Sequence, residues 1–156
     1  MKDIVIVKNL TKRYGNCIAV DDLSFQVKEG STFGLLGANG SGKSSTIESI
    51  LGTKKCEVKE LSVLDRNPIK DKKLLFEQVG VQFQDAKYQE LIKVEELCEI
   101  TAALYKQPRE YGTLLEKFGI SDKRKSFVKE LSGGERQNYL LYLHLFQIQN
   151  LCFWMS

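Results

Sequence analysis

An α/β fold centred on a strand-fed glycine loop is predicted, and three observations carry that expectation. Gly37-Ala38-Asn39-Gly40-Ser41-Gly42-Lys43-Ser44 reads G-x-x-x-x-G-K-S, with a strand-type run before it and a helix-competent run after it. Upstream, apolar residues alternate with period two, the pattern of half-buried strands. From Lys93 onward the period lengthens to about 3.6, which predicts helices attached to that core.

The elements follow in order. Ile4 to Leu10 is rich in β-formers, and Gly15-Asn16 marks a turn after Thr11-Lys12-Arg13-Tyr14. Leu23, Phe25 and Val27 alternate with Ser24 and Gln26, a second strand. Glu29-Gly30 turns the chain into Ser31-Thr32-Phe33-Gly34-Leu35-Leu36, a strand expected to feed the glycine loop. Two or three antiparallel strands thus precede the loop. Ser45 to Leu51 is expected to be a helix that stops near Gly52. Val58 to Leu64 is the next strand, broken at Asn67-Pro68, and Lys70 to Phe76 is helical with a solvated charged face. Val79 to Phe83 is a strand with Gln84 at its end. Val94, Leu97, Cys98, Thr101 and Leu104 share one helical face, and a second helical piece runs from Tyr111-Gly112 to Phe118. Lys123-Arg124-Lys125 reads as a solvent-facing basic run.

Composition narrows the classes. The chain has 156 residues, 42% hydrophobic and 28% charged, which suits one globular domain with a sizeable core. A net charge of +3 is too mild and dispersed to argue for nucleic acid, so none is expected as a partner. Cys17, Cys56, Cys98 and Cys152 are far apart and His144 stands alone, so zinc-site spacing is absent and free thiols are expected. The N-terminus lacks a signal-peptide pattern, and the most apolar stretch, Leu140 to Met155, is broken by His144, Gln147, Gln149 and Asn150.

The residue types of the loop match a phosphate site. Triphosphate oxygens need several backbone N–H groups at close range, so side chains must be absent. Gly37, Gly40 and Gly42 clear that space and permit positive φ. The following helix adds N-terminal donors and a partial positive charge. Lys43 can reach the β and γ phosphates, and the Ser44 hydroxyl can ligate Mg²⁺. Tyr14 either stacks on a nucleobase or covers a turn; spacing alone favours the turn. Gln84, at the carboxyl end of a strand, either holds Mg²⁺ or the attacking water, or caps the strand.

A second motif, Leu131-Ser132-Gly133-Gly134-Glu135-Arg136-Gln137, contains S-x-x-E, a capping box that starts a helix. Gly133 and Gly134 leave its first turn bare.

With both loops in this order the chain resembles the ATP-binding-cassette (ABC) ATPases. Gly37 to Ser44 is similar to their Walker A loop, and Leu131 to Gln137 matches their signature motif without a mismatch. The string T-K-R-Y-G…A-V-D-D-L-S-F…F-G-L-L-G-A-N-G-S-G-K-S-S is most similar to ATPase subunits of exporters. The resemblance implies a P-loop NTPase: a RecA-like core with an N-terminal antiparallel β-subdomain and an inserted α-helical subdomain at about 85–135, incomplete at the C-terminus. It implies ATP and Mg²⁺ as cofactors. Contacts would come from Tyr14 on adenine, from Gly37, Asn39, Gly40, Ser41, Gly42, Lys43, Ser44 and Ser45 around the phosphates, and from Gln84 beside Ser44 on the metal. Lys43, Gln84 and Ser132 would serve catalysis. Two such domains, alike or different, would pair head to tail, so that Ser132, Gly133 and Gly134 complete the γ-phosphate site of the partner copy. A transmembrane permease subunit would be driven from the cytoplasmic face. Chromosome-type members with coiled-coil insertions and ribosome-type tandem cassettes fit this chain less well.

The pattern departs from the family in two places. The link Thr53-Lys54-Lys55-Cys56-Glu57-Val58 is shorter than the family's usual glycine-containing turn. After the signature, the expected hydrophobic strand ending in Asp-Glu is missing, as are the D-loop and switch histidine; His144 lies too early for that role. Trp and Met have single codons, so Phe153-Trp154-Met155-Ser156 can be written TTY-TGG-ATG-AGY. Read one base earlier, this gives Leu-Asp-Glu. The expectation is therefore a partial ATP-binding domain over 1–137 and an out-of-frame, non-native tail over 138–156. A non-catalytic nucleotide-binding remnant is the alternative to a working ATPase subunit.

Overall fold

The computed structural model describes residues 1–82, 91–104, 110–136, 139, 143 and 151–154. They form two compact units, Met1–Leu75 and Phe76–Ser156.

The first unit is built on a long hairpin. Strand β1 (Asp3–Tyr14) pairs antiparallel with β2 (Cys17–Lys28) through the turn at Gly15-Asn16, as the alternation predicts. Strand β3 (Glu60–Val63) joins the other edge of β1, giving the order β2-β1-β3, all antiparallel. Val5, Val7, Leu10 and Val63 are buried in this sheet. Burying each such side chain contributes about 1.5–3 kcal/mol. Helix α1 (Lys43–Ile50) buries Thr46, Ser49 and Ile50. It ends at Gly52, whose φ of +66° reverses the chain where a Cβ would meet the Pro68 carbonyl at 2.6 Å. Asn67 initiates the next turn by accepting hydrogen bonds from the N–H groups of Ile69 and Lys70. The short helix α2 (Lys72–Phe76) follows.

One expected strand does not form. Residues 31–36 carry no strand pairing, with Leu36 93% and Phe33 47% exposed. An apolar run becomes a strand only when a neighbour supplies its hydrogen bonds, and none of the described strands does so. The Phe33 ring stacks on Phe25 of β2, with ring centres 4.7 Å apart.

In the second unit, β4 (Val79–Gln82) pairs in parallel with β5 (Leu151–Trp154). Helix α3 (Val94–Ala103) turns Val94, Leu97 and Cys98 inward. Leu104, placed by periodicity on the same face, is 73% exposed, because the helix ends at Ala103 and the chain leaves that face. Helix α4 (Gly112–Lys117) contributes Leu115. Arg124 is more than a solvated charge. Its guanidinium donates to Glu95 at 3.0 Å and to the Tyr111 hydroxyl at 3.0 Å, tying the basic run to α3.

Tyr139 and Leu143 also belong to this core, at 1% and 4% exposure. They are four residues apart, both helical, and so share a face. The Tyr139 hydroxyl donates to the Val94 carbonyl at 2.5 Å and meets the Cys98 sulfur at 3.5 Å. Burial pushes the Cys98 thiol above its ordinary value, so it stays protonated. Tyr139→Phe keeps the ring and removes the buried donor. We expect a loss of about 1–2 kcal/mol in urea unfolding; no change would mean that water, not Val94, satisfies this hydroxyl.

Candidate functional site

The glycine loop, residues 37–44, is exposed along most of its length and closes on itself through Lys43. The Lys43 ammonium donates to the carbonyls of Gly37 and Ala38, each at 2.7 Å. An ammonium has three N–H donors, so one remains for an anion lying in the loop. The Ser41 N–H donates to the Ala38 carbonyl at 3.2 Å, completing the turn.

Gly42 sets the loop against the sheet. Its φ is +87°, and a Cβ there would lie 2.1 Å from the Ala19 carbonyl of β2. Only glycine satisfies both the left-handed backbone and the close approach. Gly42 is also the N-cap of α1, and no side chain caps that helix. The first intrahelical bond runs from the Thr46 N–H to the Gly42 carbonyl at 2.8 Å. The N–H groups of Lys43, Ser44 and Ser45 therefore lie ahead of the helical ladder, where an anion can take them. The Ser44 hydroxyl is exposed beside them. Asn39 and Gly40 form the exposed outer part of the loop.

Tyr14 ends β1, 45% exposed, with its hydroxyl 3.3 Å from the Ser45 hydroxyl in the first turn of α1. The sheet thus brings the Tyr14 side chain to the start of the helix that follows the glycine loop. Gln84 lies outside the described residues. Lys12, two residues before Tyr14 and on the same strand face, was not singled out from the sequence. The signal available was the i, i+2 spacing of a cation and an aromatic in one strand.

The second motif forms the expected capping box. The Ser132 N–H donates to the Glu135 carboxylate at 2.8 Å, and the Glu135 N–H donates to the Ser132 hydroxyl oxygen at 3.3 Å. Ser132 itself is exposed at the start of this turn. Gly133 and Gly134 are exposed, and a Cβ at either would meet nothing within 4 Å. Their role is to leave the approach to the backbone clear rather than to relieve a clash.

Hydrogen bonds from Ser132 hold the Glu135 carboxyl below the usual glutamate range. Glu110, which accepts from the Thr113 hydroxyl and from the N–H groups of Thr113 and Gly112, is lowered for the same reason. A lowered folded-state value means that each cap is complete above the ordinary glutamate value. Each is lost as pH falls through the lowered one. We expect carboxyl NMR titration to show both midpoints below the unfolded value. Ser132→Ala should raise that of Glu135 alone; joint movement would disprove the local assignment.

No helix among the described residues is long and apolar enough to cross a membrane, and no cluster of metal-ligating side chains occurs among them.

A sequence profile described as ABC transporter matches residues 20–154. The methionine import ATP-binding protein MetN of Campylobacter jejuni is 28% identical over 160 residues, 86% of this chain and 48% of the relative. The bacitracin transport ATP-binding protein BcrA of Bacillus licheniformis is 30% identical, across 88% of this chain and 45% of the relative. A solved ATP-binding subunit of an ABC transporter superposes with a TM-score of 0.79 at 24% identity, covering 92% of this chain and 62% of that one. A solved ATP-binding cassette gives 0.76 at 25% identity, covering 94% and 66%. The chain spans about half the length of the curated relatives it matches.

Proposed function

Because this chain belongs to the ABC transporter family, we propose that it is an ATP-binding subunit coupling nucleotide binding and hydrolysis to transport through a membrane-spanning permease partner. The observation that carries the reading is the Lys43-closed loop seated by Gly42 at an uncapped helix N-terminus. It is built for a polyphosphate. The third Lys43 N–H and the N–H groups of Lys43, Ser44 and Ser45 meet phosphate oxygens, and Tyr14 receives the base. Ser44, with Gln84, would hold Mg²⁺, and the exposed hydroxyl at the helix start fits a hard cation's preference for oxygen. Bound Mg²⁺ neutralises charge on the β and γ phosphates. Ser132 and the open backbone at Gly133 and Gly134 would cover the γ-phosphate of a second copy's nucleotide. The working unit is then a homo- or heterodimer of ATPase domains at the cytoplasmic face of the membrane.

A second reading, the non-catalytic remnant, is favoured by the end of β5. In an α/β sheet ligands sit at the carboxyl ends of strands. Strand β5 lies parallel to β4 and ends at Trp154, and Met155-Ser156 follow. The side chains from Phe153 to Ser156, at and just past the end of β5, carry no carboxylate. If no general base is supplied there, turnover would fall by on the order of 10²–10⁴. An out-of-frame tail over 138–156 would account for this. Tyr139 and Leu143, within the stretch expected to be out of frame, pack in the core beside Val94 and Leu97.

The purified chain should bind ATP. Mg²⁺-dependent phosphate release above that of a Lys43→Ala control would contradict the remnant reading; absence of nucleotide binding would sink both. Sequencing the coding DNA tests the frame directly, and a TCN codon for Ser156 would end that idea.

A further inference from the structure

We infer that Lys12 is a positioning residue for nucleobase recognition: it fixes the Tyr14 ring from behind and leaves the opposite face to the base. This rests on the nucleotide reading above and adds a residue to it.

Three observations place Lys12 in that role. Its side chain is nearly buried, at 9% exposure, unusual for a lysine. Its ammonium lies 4.5 Å from the centroid of the Tyr14 ring, over one face. The same ammonium donates to the Lys55 carbonyl at 2.6 Å, on the segment just after α1. Arg13, between the two, points to the other side of the strand, where its guanidinium lies 3.8 Å from Glu57.

The consequences for the ring are geometric and electronic. Lys12 blocks one face, and the Tyr14 hydroxyl is held at Ser45, 3.3 Å away. The ring is thus anchored on one face and at its hydroxyl, and its remaining exposure belongs to the other face. A cation on one side of a π-system draws density toward itself. The far face becomes less negative, which reduces its repulsion toward the π-face of a second aromatic and favours stacking. A purine settling there needs no reorientation of the tyrosine, so less ordering is required on binding. Lys12 touches no ligand in this arrangement.

The test compares two ligands on the full chain. Dissociation constants for ATP and for inorganic triphosphate are measured by calorimetry for the wild type, Lys12→Gln, Lys12→Arg and Tyr14→Leu, and for Tyr14→Leu combined with Lys12→Gln. Glutamine retains a donor for Lys55 but no charge. Lys12→Gln should weaken ATP about two- to fivefold, the range of a cation–π contact at a partly exposed site, and leave triphosphate unchanged. Arginine should restore ATP affinity. On the Tyr14→Leu background, Lys12→Gln should add nothing. Unchanged ATP affinity in Lys12→Gln overturns the inference. Equal weakening of ATP and triphosphate also overturns it, since that pattern marks a general structural role. If the wild type binds neither ligand, the nucleotide reading itself fails, a result distinguishable because it precedes any substitution.

Discussion

Lys43→Ala is expected to weaken ATP binding on the order of 10²-fold, the largest effect of any single substitution on this site. Charge-assisted hydrogen bonds contribute about 1.5–3 kcal/mol each. The ammonium is the only side-chain cation closing the described loop, held by the Gly37 and Ala38 carbonyls. Removing it deletes the donor proposed to face the phosphates and frees the loop's first turn. Those two carbonyls lie on exposed residues, so water replaces the lost donor and the fold is spared. Thermal unfolding should therefore stay close to wild type while equilibrium binding of a fluorescent ATP analogue collapses. A matched loss of both would mean that Lys43 acts mainly as a structural brace.

Gly42→Ala should have the largest effect on stability, about 2–4 kcal/mol in urea unfolding. Two penalties coincide at this residue. The backbone has φ of +87°, and the new methyl would press on the Ala19 carbonyl at 2.1 Å. Gly40→Ala separates them. Its φ is +82°, yet a Cβ there meets nothing within 4 Å. It should cost only the conformational part, about 1–2 kcal/mol. If the two variants unfold alike, the contact between loop and β2 is not what seats the phosphate site.

These effects were largely legible before the structure, because the motifs are local. A glycine spacing, a Ser-x-x-Glu box and a period-two hairpin each specify geometry within a few residues, and all three formed. What escaped the sequence depends on distant partners. Residues 31–36 have the composition of a strand, but pairing is a property of two segments, and none of the described strands lies beside them. Lys12 sits in a strand like any solvated charge; only the Lys55 carbonyl and the Tyr14 ring explain its burial. Tyr139, within a stretch read as foreign, is buried because Val94, 45 positions away, offers a carbonyl.

The pairing of β4 with β5 also sets an order of assembly. The β1–β2 hairpin closes through a two-residue turn, whereas Val79 must find Leu151 across about 70 residues. Each doubling of a closing loop adds about 0.6 kcal/mol of entropy, and a pair of four-residue strands recovers little. If the core around Val94, Leu97 and Tyr139 forms first, it shortens that search by fixing the chain up to Leu143. The parallel pair then has only a short connection left to close. In that order of events the helical cluster would be the splint on which the last strand is set.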